Sequence, residues 1–137
     1  MELDASQPLM NMVVFALNFS VESTTATGDS FIPLVIKAAG EQVDVRQFLA
    51  ETLEEGLAQA RQSIENAPPE IERYVLAYEG LLTVEEEKWD AFIFEAGERG
   101  QTEAHLFAQR YLPQTQEGDL EVVGNLIYLG NTLHMLR

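Results

Sequence analysis

The clearest pattern of polar and apolar positions lies at Trp89-Asp90-Ala91-Phe92-Ile93-Phe94-Glu95, an apolar run with an acid near each end and turn-forming sequence on both sides. Successive side chains of a strand point to opposite faces. Trp89, Ala91, Ile93 and Glu95 would therefore share one face, and Asp90, Phe92 and Phe94 the other. Both faces are apolar at their centre, so the segment reads as a central strand that needs cover on two sides. Residues 72–84, 88–96 and 103–112 then form a meander, joined by the acidic turn Glu85-Glu86-Glu87 and by Gly97-Glu98-Arg99-Gly100. A hairpin centred on Gly100 sets Asp90 opposite Arg110, Ile93 opposite Phe107, Phe94 opposite Leu106 and Glu95 opposite His105. That register offers two opposite-charge pairs, each contributing roughly 0.2–1 kcal/mol, and two apolar pairs.

Upstream, Ser6-Gln7-Pro8 has the form of a helix start, and Leu9, Met12 or Val13, Ala16 and Leu17 recur at helical spacing, predicting a helix over 7–22, although Val13-Val14-Phe15 could equally begin a strand. Residues 23–30 read as a polar loop. Phe31 to Ala38 reads as a strand, with Pro33 suited to an edge position or a strand beginning because it cannot donate to a ladder. Ala39 to Gln42 turns the chain and Val43-Asp44-Val45 returns it as a hairpin. From Arg46 to Asn66 the period changes to that of a helix: Leu49, Leu53, Leu57, Ala60 and Ile64 form one stripe, and Pro68-Pro69 ends it. Gly56 within that helix costs about 1 kcal/mol relative to alanine, which suggests a close approach to the sheet. Leu120 to Leu129, interrupted by Gly124, could add a strand after the loop Pro113 to Asp119, and Gly130 follows it. The expectation is a single α+β domain over 1–137. It has an antiparallel sheet with a central meander (about 72–112) and an N-terminal hairpin, packed against two helices that together could cover one face.

Charge narrows the function classes. The chain holds 23 acidic and 8 basic residues among 137, a formal net charge of −15. Such a field repels nucleic-acid phosphates and anionic lipid, so no nucleic acid and no membrane are expected as partners. A basic protein partner remains compatible. The absence of cysteine excludes disulfides, thiol catalysis and Cys-based zinc sites. Met1-Glu2-Leu3-Asp4 is acidic where a secretory signal is basic, and the run from Leu9 to Phe19 is broken by Asn11 and Asn18 and is too short to span a bilayer. Cytoplasmic location is the expectation.

The candidate chemistry rests on Asp90, Glu95 and His105. Paired carboxylates beside a histidine can hold a divalent cation or exchange protons, which makes a metal-dependent hydrolase the alternative function. Asp90 with Glu95-Ala96-Gly97 resembles in part the nuclease pattern that sets an aspartate and a Glu-x-Lys on adjacent strands around a metal, but glycine stands where that pattern requires lysine. Asp90 and Glu95 are also five positions apart, which on a regular strand points them to opposite faces. No Ser-His-Asp order, GxSxG elbow or HExxH helix accompanies His105 or His134. The residues therefore imply no cofactor and no resident metal. They favour a non-enzymatic, acidic protein-interaction domain, an adaptor or an inhibitor of a basic partner. The two apolar faces of the central strand further suggest a homodimer, should both helices cover the same side.

Overall fold

The computed structural model describes residues 5–27, 31–113 and 120–136. The alternation around Phe92 produces the expected central strand. The elements are α1 (Gln7–Thr27), β1 (Leu34–Ala39), β2 (Gln42–Gln47), α2 (Leu53–Glu65), β3 (Arg73–Val84), β4 (Glu87–Glu98), β5 (Glu103–Leu112) and β6 (Glu121–Leu133). All strands join one antiparallel sheet in the order β2-β1-β3-β4-β5-β6, an α+β fold. Because β2 and β3 both run antiparallel to β1, they are parallel to each other. The segment containing α2 must therefore carry the chain across β1. Pro33 stands just before internal strand β1, the strand-beginning position that suits a residue unable to donate. The loop expected over Pro113 to Asp119 falls largely outside the described residues, as do Gly28 to Ser30 and the acidic residues Met1 to Asp4.

The two helices lie on opposite faces, so the shared single-face cover that the sequence left open is not the one adopted. Leu9, Met12, Val13 and Ala16 of α1 pack with Ile36, Val75, Phe92, Phe94 and Phe107. Ala60 and Ile64 of α2 pack instead with Val35, Tyr74, Leu76 and Met135. This division follows from the alternation of β4, whose two apolar faces each receive a cover. The C-terminal segment completes the α2 side, where Met135 N donates to Tyr74 Oη at 3.1 Å and His134 Nε2 lies 2.9 Å from Glu98 O.

The β4–β5 register is one residue away from the sequence expectation. Asp90 stands opposite Tyr111, Ala91 opposite Arg110, Phe94 opposite Phe107, Glu95 opposite Leu106 and Ala96 opposite His105. Both expected charge pairs are absent. The observed register puts Phe107 and Tyr111 on the same face as Phe92 and Phe94, where Phe92 and Tyr111 stack with ring centroids 4.3 Å apart. It leaves the smaller Ala104 and Ala108 facing the other way. Burying an aromatic side chain contributes about 1.5–3 kcal/mol, against at most about 1 kcal/mol for a cross-strand pair, so packing decides the register.

Both helix boundaries also move. α1 runs five residues past the expected end, with Thr24 buried against the fold and Ser20 Oγ donating to Ala16 O at 2.7 Å, so packing overrides the low helix propensity of the serines and threonines. Its start is as read: Ser6 Oγ accepts from Leu9 N at 3.2 Å, while Ser6 itself donates twice to the Glu98 carboxylate. α2 begins at Leu53, seven residues later than expected. The sequence Thr52-Leu53-Glu54-Glu55 is a capping box whose Thr52 Oγ1 accepts from Glu55 N at 3.1 Å, and Phe48 still pairs in the manner of a strand. Leu49 therefore lies outside the helix and is 77% exposed. Gly56 does mark a close approach: a Cβ there would stand 2.5 Å from Phe48 O, so alanine would have to displace backbone.

Candidate functional site

The sheet separates the three residues with candidate chemistry. Asp90 and His105 share the α1 face, but they sit at positions six residues apart along the β4–β5 pair, about 20 Å. Glu95 points to the α2 face. His105 is buried, its Nε2 2.9 Å from Gln101 Oε1 and its Nδ1 3.4 Å from Tyr128 Oη. Among the described residues no group of three or more His, Asp or Glu side chains is arranged to hold a metal ion.

Glu95 is the best-placed of the three for strong interaction, and its partner is not the His105 that the sequence register set opposite it. It is 4% exposed and accepts from Arg61 Nη1 at 2.8 Å, from Arg61 Nη2 at 2.7 Å and from Tyr78 Oη at 2.7 Å. A two-pronged guanidinium matches a carboxylate better than any other cationic side chain, and the tyrosine takes a remaining lone pair. The Glu95 bonds raise the pKa of Arg61, while burial first, and Glu95 second, raise that of Tyr78. Tyr74 next to them is pushed up to about 12 by burial. Neither phenol is thereby activated as a base or nucleophile. The cluster clamps α2 to β4. Arg61 lies at helical spacing from Leu57 and Ile64, on the margin of the apolar stripe, which is the signal in the sequence that it could reach the sheet.

Asp90 belongs to a second group with Glu79 and Tyr111 at the other end of the α1 face. Glu79 accepts a hydrogen bond from Phe31 N. Burial raises its carboxyl pKa, the Phe31 bond opposes that, and the Asp90 charge adds to it. The Tyr111 phenol is raised by burial first and then by Glu79 and Asp90. Raising its pKa makes the phenol a poorer proton donor, and no cation among the described residues pairs with the two acids to bind a substrate anion.

A different surface has the properties of a binding site. Between α1 and β2 runs a groove of about 610 Å³, walled by Pro8, Met12 and Phe15 on the helix and by Val43 and Val45 on the strand, with Ile36 and Ala38 as its floor. The alternation of β2 places both valines on the α1 face, opposite Ala38 and Ile36. α1 packs over the middle strands and leaves β2 uncovered, which opens the groove. Glu41 and Arg73 stand at its rim, Arg73 Nη1 lying 3.9 Å from the Glu72 carboxylate. Sequence reasoning missed this site because it needs the distance between two separate elements. Its trace is nevertheless visible: in a chain where 23% of residues are charged, the 21 residues of α1 carry one charge, Glu22.

No helix among the described residues is long and apolar enough to cross a membrane. Comparison of the chain with protein-family models, with curated proteins and with solved structures gave no match.

Proposed function

We propose that this protein is a non-enzymatic, acidic interaction domain, an adaptor or inhibitor that takes a basic partner in the α1–β2 groove. The observation that carries the reading is the contrast between the groove and the chain around it. A net charge of −15 steers cations toward the molecule, while the groove offers an almost uncharged apolar seat where Phe15 is 49% and Val43 56% exposed. A field sets encounter and orientation, but affinity comes from a few apolar anchors that leave water. The partner chemistry that fits both is a basic segment with one apolar face. The hydrolase alternative draws no support from the placement of Asp90, Glu95 and His105.

A labelled synthetic helix with leucine on one face and lysine on the other tests the reading by fluorescence anisotropy. Phe15→Asp separates the two contributions, because it adds negative charge while spoiling the apolar wall. Binding that weakens by about tenfold or more supports the groove. Binding that is unchanged or stronger would reduce the interaction to charge alone and overturn the proposal. Melting temperature of the variant checks that the fold is retained.

A further inference from the structure

The two edges of the sheet are built differently. At β6 the ladder shifts register twice, between Leu106 and Phe107 and between Ala108 and Arg110, and Gly124 and Gly130 hold positive φ of 69° and 118°. Bulges of this kind bend an edge strand and spoil it as a template for another. β2 has no such device. Its register against β1 is unbroken from Gln42 to Gln47, it contains no proline, and its residues are exposed up to Arg46.

The bonding pattern of β2 follows from the residue after it. Phe48 N donates to Pro33 O at 2.9 Å, which extends the Leu34–Gln47 register by one position as a hydrogen-bonded pair. Bonded and non-bonded pairs alternate along an antiparallel ladder, so Gln42, Asp44 and Arg46 bond to β1. Val43, Val45 and Gln47 therefore turn their N–H and C=O groups to the open edge.

We propose that β2 pairs antiparallel with β2 of a second copy of this chain, about a two-fold axis at Val45, joining two six-stranded sheets into one. Charge selects this register. With Val45 opposite the partner's Val45, Asp44 faces the partner's Arg46 and Arg46 faces the partner's Asp44, so the symmetry makes two opposite-charge pairs at once. Val43 and Gln47 meet the partner's Gln47 and Val43 as hydrogen-bonded pairs. Shifting the axis by one residue in either direction sets Asp44 against the partner's Asp44, or Arg46 against the partner's Arg46, and like charges directly opposite repel. Within each chain Lys37 already lies across from Asp44. The charges thus run positive, negative, positive across the joint on the α2 face. On the α1 face the valines meet, and the two grooves come to lie on one continuous floor. The pairing does not depend on what the groove binds.

Sedimentation equilibrium of the full chain at micromolar concentration should give twice the chain mass of 15.3 kDa. Val45→Pro removes an N–H that the monomer's own ladder does not use, so it should abolish the dimer while circular dichroism and melting remain those of a folded chain. Asp44→Arg and Arg46→Asp should each weaken self-association by about tenfold or more, and an equimolar mixture of the two should recover a heterodimer, because each then presents the charges that the other lacks. A monomeric wild type, a dimer indifferent to Val45→Pro, or single-variant dimers that mixing does not change would each overturn the proposal. A monomer that still binds the leucine–lysine helix would leave the groove reading standing.

Discussion

The two faces of the sheet are held by different physics. On the α1 side, Phe31, Phe92, Phe94 and Phe107 are almost wholly enclosed, and among the described residues α1 contributes apolar side chains and no ion pair. On the α2 side the strands present Tyr74, Leu76 and the alanines 91, 104 and 108, and the helix is fastened by a buried carboxylate and a guanidinium. Non-directional burial lets the first face tolerate small shifts of its helix. A bidentate ion pair does not, because both hydrogen bonds fail together.

Four substitutions would sharpen or break that contrast. Phe94→Ala should have the largest effect, a loss of about 3–5 kcal/mol in chemical denaturation, since the ring lies at the centre of the enclosed face. A loss below about 1 kcal/mol would mean that this face repacks freely. Arg61→Ala should cost about 3 kcal/mol, the lower end expected when one partner of a buried pair is removed. The side chain of Arg61 is itself 37% exposed, so solvent already screens part of the interaction and can reach Glu95 in the variant. Restoring stability with Glu95→Leu in the same chain would identify the stranded carboxylate as the cause.

The smallest effect concerns Glu79, the acid half-enclosed on the α1 side. Its folded pKa lies above the ordinary 4.5, with burial as the main cause. The sign follows by linkage: the stability tied to the protonated group is fully present below the unfolded pKa and is lost as pH rises through the folded one. Glu79→Gln should therefore melt above the wild type at pH 7 and lose that advantage below about pH 4.5. An advantage that persists at pH 4 would assign the effect to packing instead of ionisation.

Much of this architecture is legible in the order of residues. Period-two alternation separates Phe92 and Phe94 from Ala91, Ile93 and Glu95, and the meander, its turns and the cap at Ser6 follow from local rules. What escapes those rules is decided at a distance. Asp90 and Arg110 form a reasonable pair until Phe107 and Tyr111 join the other aromatics, whose burial outweighs it. Glu95 finds its cation on α2, 34 positions away in the chain. The leucine stripe running back to Leu49 conceals a capping box at Thr52, because apolar spacing alone does not distinguish a helical turn from an exposed approach to one. Of the candidate site, the missing charge on α1 is visible in the sequence. The facing valines of β2 become part of a groove only once the sheet order sets them beside the helix.

The bulges of β6 bear on how far this molecule can grow. An open strand at each end of a sheet invites head-to-tail addition, in which every added unit leaves a fresh end and growth has no limit. Here the glycines at 124 and 130 distort one end, leaving the regular template at β2 alone. A template that meets its own copy through a two-fold axis uses itself up in the encounter. Assembly through β2 as proposed would therefore be self-terminating, because the bend in the last strand offers no second template for growth.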